Sequence, residues 1–148
     1  MTAPIRLSVP GTLAYRTVAV RVVAEAARLV SSSKRREPDN PLTIDVTDPF
    51  DTAVVSAFME IFNNVVLHAY SGTTGTIELA ITPGERQLTI EIADTGTPFD
   101  MTTVAPLPDV TAEALPEGGM GIHIAKAMLD EVSYQPGPPN RWRLLKRS

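Results

Sequence analysis

Along residues 53–70 the apolar positions leave a single polar stripe on a helical period. Ser56, Glu60, Asn64 and His68 recur every four residues with Asn63 beside them, while the remainder is almost all Val, Ile, Leu, Phe, Met or Ala. At 3.6 residues per turn these five positions fall within an arc of about 140°. A solvated helix face normally mixes Lys and Arg with Glu. This one carries a carboxylate, amides and an imidazole but no cation. Such groups are costly to bury without partners, so the stripe either closes a hydrogen-bond network or meets a ligand. Both readings stay open on this segment alone.

The same patterning sets out the rest of the chain. Ile5 to Val9 alternates like an edge strand and stops at Pro10-Gly11. Thr12 is placed to cap a helix reaching about Ser31, with Ala19, Val22, Val23, Ala26 and Val30 as its core stripe. A polar loop, 31–41, follows. Asp48 can cap the central helix, with Pro49 at its first position and Asp51 completing a capping box. Gly72 and Gly75 end that helix. Residues 76–81 and 87–92 read as a hairpin, 101–116 as a mobile loop able to act as a lid, and Ile122 to about Asp130 as a third helix. A last hairpin turns across 136–140. The expected architecture is a single domain, 1–148: an α/β two-layer sandwich with three helices on one face of a mixed, mostly antiparallel sheet.

Two glycine-bearing segments sharpen the functional reading. The strand Gln87 to Ile92 runs into Asp94-Thr95-Gly96-Thr97-Pro98-Phe99-Asp100, and Glu117-Gly118-Gly119-Met120-Gly121-Ile122 opens the third helix. Glycines ahead of a helix let the backbone approach a ligand and aim N–H groups at an anion. Each segment alone is a weak signal; all three in order are a strong one.

Together they resemble the nucleotide-binding boxes of the GHKL superfamily, and most of all the bacterial anti-sigma factor serine/threonine-protein kinases. Glu60 to Asn64 followed by His68-Ala69-Tyr70 matches the first box, Asp94 to Asp100 the second, and Glu117 to Ile122 with Met128 to Val132 the third. Asn140 to Lys146 resembles the closing strand. The resemblance implies a Bergerat-type ATP-binding fold using ATP and Mg²⁺. Asn64 would give an oxygen to the metal, Asp94 would accept from the adenine amino group, and Gly96 would leave room for the base. Phe99, Met120 and Ile122 would join the nucleotide contacts, and the backbone of Gly118, Gly119 and Gly121 would hold phosphates. Glu60, one turn before Asn64, is placed to take a proton from an attacking hydroxyl; the plain alternative is a structural carboxylate satisfied by backbone N–H groups. His68 reads as a packing group, His123 as lining the site or facing solvent, and Trp142 as core or edge packing. The chain departs from the family at Pro98, where many relatives have glycine, and at Leu115-Pro116, where relatives often carry Arg.

Composition narrows the classes. Cysteine is absent, which removes disulfides and thiol chemistry, and neither an apolar leader nor a membrane span is read in the sequence, so a cytoplasmic protein is expected. The net charge of −4 is unevenly spread. Residues 1–36 hold seven Lys or Arg against Glu25 alone, whereas 37–131 hold sixteen of the seventeen acids with only Arg86 and Lys126 as bases. An acidic middle that carries the motifs argues against direct nucleic-acid binding. The basic ends serve solubility or dock an acidic protein. By resemblance the partners are a sigma factor and an anti-anti-sigma protein of STAS type, phosphorylated on Ser/Thr, with a homodimer allowed. The alternative is a nucleotide-gated binding regulator with little or no transfer activity. A histidine-kinase catalytic half would need a dimerisation helix pair, and the sequence has none.

Overall fold

The computed structural model describes residues 3–31, 48–100 and 120–148. The chain runs β1 (Ile5–Pro10), a 3₁₀ turn (Leu13–Tyr15), α1 (Arg16–Ser31), α2 (Pro49–Asn64), a π-helical extension (Val65–Ala69), β2 (Thr76–Pro83), β3 (Gln87–Asp94), α3 (Met120–Met128), β4 (Glu131–Gln135) and β5 (Asn140–Arg147). The five strands form one sheet in the order β1-β2-β3-β5-β4. Alternate residues of the inner strands, such as Ile77, Leu79 and Ile81 or Leu88, Ile90 and Ile92, are buried in one core with apolar positions from all three helices. The two-layer α/β sandwich follows.

The sheet differs from expectation in one respect: among the described residues every pairing is antiparallel rather than mixed. Topology gives the reason. Two helices separate β1 from β2, so the chain returns reversed and pairs antiparallel. Strands β3 and β4, with α3 between them in the chain, run parallel in direction. Strand β5 lies between them and takes both pairings.

Local signals account for α2. The Asp48 carboxylate accepts from the N–H groups of Phe50 (2.8 Å) and Asp51 (3.1 Å), with Pro49 at the helix start. Phe50, Val54, Ala57, Phe58, Ile61 and Phe62 form its buried face. At 21 residues with mean hydropathy 1.3, Pro49–Ala69 is long and apolar enough to cross a membrane, yet that face is spent on the core of this fold. At α1, Thr12 offers no side-chain cap; a 3₁₀ turn intervenes and the helix starts at Arg16. Val22, expected in the core stripe, is half-buried, while Ala24 and Ala27 are buried. The expectations for the 31–41 loop beyond Ser31, for the 101–116 loop and for Glu117, Gly118 and Gly119 lie outside the described residues.

The α2 helix ends in a clamp. Beyond Asn64 the helix widens into a π turn, and Gly72, at φ 75°, reverses the chain. Tyr70 is buried between Gly11 and Gly75, whose backbones bond to each other (Gly11 N–H to Gly75 O, 2.7 Å). Its hydroxyl donates to Thr76 O (2.7 Å) and accepts from Thr95 N–H (3.1 Å). One phenol therefore joins the ends of β1, β2 and β3 to the end of the central helix. A Cβ at Gly75 would fall on the Tyr70 ring at Cε1 and Cζ. We expect Gly75→Ala to lower stability by about 1–3 kcal/mol through overpacking, with Tyr70→Phe losing about 1 kcal/mol. Urea unfolding of the three proteins checks this; a wild-type midpoint for Gly75→Ala would mean that the ring is not held there.

Candidate functional site

The boxes meet where the C-terminal half of α2 crosses the end of β3. Glu60 and Asn64 stand one turn apart on α2, both partly exposed. Gly121, in the first turn of α3, packs directly on Glu60: a Cβ there would lie 2.6 Å from Glu60 Oε2. A larger residue would displace the Glu60 carboxylate and crowd Glu60 Cβ at 3.2 Å. Among the described residues Glu60 accepts no hydrogen bond and forms no ion pair, so its carboxylate is not tied up in a structural network. Met120 is half-buried at the helix start, whereas Ile122 is fully buried in the core and has only backbone to offer a ligand.

Asp94 ends β3 as one of the few buried polar groups, at 3% exposure. Its Oδ1 accepts from Gly96 N–H (3.0 Å) and from Asn140 Nδ2 (2.9 Å). Asn140 is itself buried; Nδ2 also donates to Gly96 O (2.9 Å), and Oδ1 accepts from Gly137 N–H (2.9 Å). The pair are register partners on β3 and β5. Oδ2 of Asp94 takes no such bond among the described residues, so that oxygen is the one available to a ligand. Gly96 is held from behind: a Cβ would strike the Ala69 carbonyl, and Thr97 N–H donates to that same oxygen at 3.0 Å.

Asn64 and Asp94 face a shared cavity of ≈ 10 Å³, with room for about one water, walled by His68, Thr97, Phe99, Tyr134 and Trp142 among others. Asn64 Nδ2 is buried with no hydrogen-bond partner among the described residues. Phe99 closes the cavity. Its ring meets His68 edge-on at 5.2 Å and lies 6.1 Å from Trp142 and 6.3 Å from Tyr134, while its N–H donates to the Tyr134 hydroxyl at 2.7 Å. Burial, aided by the charge of Asp94 and opposed by the Phe99 bond, raises the Tyr134 phenol above its ordinary 10.0. It stays a neutral acceptor. Trp142 is buried against Tyr134 (4.6 Å). His123 is half-buried on α3.

Three residues of this region escape sequence reasoning. Asn140 sits after Pro138-Pro139 and reads as a turn; only its register opposite Asp94 gives it a role. Tyr134 lies on a short strand with no motif. Arg16 looks like one solubilising base among several, yet its Nη1 donates to Asn63 Oδ1 on the polar stripe at 3.0 Å.

The architecture and this assembly define a class. Residues 9–143 match the family described as "Histidine kinase-like ATPase domain", and the chain belongs to that family. Over 86 residues it is 35% identical to the Serine-protein kinase RsbW of Bacillus licheniformis, an alignment covering 53% of each chain. Over 82 residues it is 33% identical to the protein of the same name from Bacillus thuringiensis, covering 51% of each. The chain thus spans about half the length of the curated relatives it matches.

The Asn140–Asp94 bond generates a stability test. Asn140→Ala removes a charge-assisted donor and leaves Gly137 N–H and Gly96 O without their partner. We expect a loss of about 2–4 kcal/mol. Asn140→Asp, which sets a second carboxylate against Asp94, should lose at least as much at neutral pH and recover part of it in acid, where one of the two protonates. Thermal unfolding at two pH values checks both variants; pH-independent stability for Asn140→Asp would contradict the arrangement.

Proposed function

We propose that the chain, as a single ATPase domain over 1–148, is an ATP-dependent serine/threonine-protein kinase that also acts as an anti-sigma factor. It binds a sigma factor and phosphorylates an anti-anti-sigma protein of STAS type in the cytoplasm. The observation that carries this reading is Glu60: a carboxylate with no hydrogen-bond or ion-pair partner among the described residues, pressed on Gly121 and one turn from Asn64. Family membership and the two kinases named above support it. Leu13, Tyr15 and Val18, exposed just after β1, the outer strand of the sheet among the described residues, supply an apolar surface for a protein partner or a second copy.

Each residue has a distinct task in the proposed reaction. Asp94 Oδ2 accepts from the adenine amino group, with Oδ1 already engaged by Asn140 and Gly96. Gly96 keeps the wall behind the base thin. The cavity beside Asp94 is smaller than a purine, so the Phe99 ring moves off His68 and Trp142 as the base enters. Gly118, Gly119 and Gly121 lend backbone to the phosphates, flanked by Met120 and Ile122. Mg²⁺ fits the donor set. Asn64 is an uncharged ligand whose amide nitrogen no bond orients among the described residues, and the ion's other partners would be phosphate oxygens and waters. Magnesium would supply charge neutralisation on the phosphates. Glu60 takes the proton from the serine hydroxyl as its oxygen bonds to the γ-phosphorus and the bond from that phosphorus to the ADP oxygen breaks, with ADP leaving. A second reading, a nucleotide-gated regulator with little transfer, draws on Leu115-Pro116, which puts no cation ahead of the glycine box.

Two substitutions test these roles. Asp94→Asn can keep its internal bonds through Oδ1 while turning the free acceptor into a donor that opposes the adenine amino group. ATP affinity should fall at least tenfold, as about 1–3 kcal/mol of buried mismatch implies, with the fold retained; unchanged affinity by calorimetry would put the base elsewhere. Glu60→Gln should leave ATP and sigma-factor binding intact and slow phosphate transfer by roughly 10²–10⁴-fold. Transfer from labelled ATP to the antagonist protein measures this. A wild type that transfers nothing favours the gated regulator, and a mutant as fast as wild type removes Glu60 from the chemistry.

A further inference from the structure

Phosphoryl transfer requires positive charge at the terminal phosphate, and the motif-bearing part of this chain is nearly empty of it. Residues 37–131 contain two bases, Arg86 and Lys126, and 101–119 contain none. Arg86 lies in the β2–β3 turn, where its carbonyl accepts from Ser148 N–H, at the opposite end of β3 from Asp94. Lys126 is exposed in the last turn of α3, roughly 7 Å along the axis from Gly121. Neither stands at the polar stripe of α2.

Among the described residues the fold brings a cation there from elsewhere in the sequence. Arg16, the first residue of α1, crosses to α2 and donates from Nη1 to Asn63 Oδ1 at 3.0 Å. Asn63 directly precedes Asn64 and lies three residues after Glu60, so the three side chains share one ridge. The contact is partly buried, and Arg16 pairs with no carboxylate among the described residues. A guanidinium has five N–H donors in a planar fork. One is spent on Asn63, which restrains the group; among the described residues no other side chain takes a bond from it, leaving donors for an anion.

We infer that Arg16 contacts the terminal phosphate of bound ATP, doing from α1 what no cation on the glycine-box side can do. The role rests on the nucleotide-binding reading above. Asn63 acts as the tether that holds the guanidinium over Glu60 and Asn64, and Arg16 becomes a catalytic residue in the sense that it touches the transferred group. Selectivity follows directly: ATP presents the phosphate that Arg16 reaches, and ADP does not.

The test compares ATP and ADP binding, each with Mg²⁺, by calorimetry on the intact chain and its Arg16→Gln, Arg16→Lys and Asn63→Ala variants. Arg16→Gln should weaken ATP by about 10–100-fold and ADP by less than about threefold, the range expected for a charge-assisted contact. Arg16→Lys keeps the charge without the fork and should recover part of the preference. Asn63→Ala frees the tether and should cost ATP more than ADP, by a smaller factor. Melting temperature, read alongside, separates a structural role: a variant that loses both nucleotides equally, or only stability, overturns the assignment. So does an unchanged ATP-to-ADP ratio in Arg16→Gln. A wild type that binds neither nucleotide overturns the nucleotide reading itself, and the wild-type titration alone reveals that case.

Discussion

A carboxylate at the end of a central strand, almost wholly removed from water, is the constraint around which this fold is organised. Asp94 is tolerated there because Asn140 and Gly96 both donate to it, and Asn140 is itself satisfied on its remaining side by Gly137. An unpaired buried charge would be expelled or protonated. The bond therefore demands that β5 lie beside β3 in the observed register, and it fixes the turn that leaves β3. One oxygen is used for structure and the other left over. That division makes the position suited to recognising a donor rather than only holding the sheet together.

The helix opposite obeys a related logic. One side of α2 is committed to the core through Val54, Phe58, Ile61 and Phe62, which leaves its polar ridge at the rim between α1 and α3. Among the described residues the ridge is under-satisfied: Glu60 has no hydrogen-bond or ion-pair partner, and Asn64 Nδ2 is buried without one. Tyr70 and the π turn then couple the helix end to the loop after Asp94, through Thr95 and Ala69. Helix, strand end and turn are thus one mechanical unit. A ligand bridging Asn64 and Asp94 would meet walls already held in place, with Phe99 as the part free of backbone tethers on its ring side.

Local order was readable in the chain itself. The Asp48-Pro49 start of α2, the strand alternation of 76–81 and 87–92, and the turn at Asp94 to Gly96 each express a rule spanning two to four residues, and such rules survive without tertiary context. The helical period of the stripe placed Glu60 and Asn64 on one face, and the resemblance of the three boxes identified the family. The extent of elements was less legible. The Thr12 cap gave way to a 3₁₀ turn, and a helix expected to run evenly to Tyr70 widened after Asn64.

The sequence by itself determined which residues could be helix, strand or turn, where the apolar face of α2 lies, and which family the chain joins. Tertiary structure alone decided the all-antiparallel pairing, because the insertion of β5 between β3 and β4 is a choice of neighbour and not of conformation. It alone joined Asn140 to Asp94 across 46 positions, Arg16 to Asn63 across 47, and Tyr70 to Thr95 across 25. Periodicity encodes the direction of a side chain from its own element. What that side chain meets depends on how elements separated by long stretches of chain settle against one core.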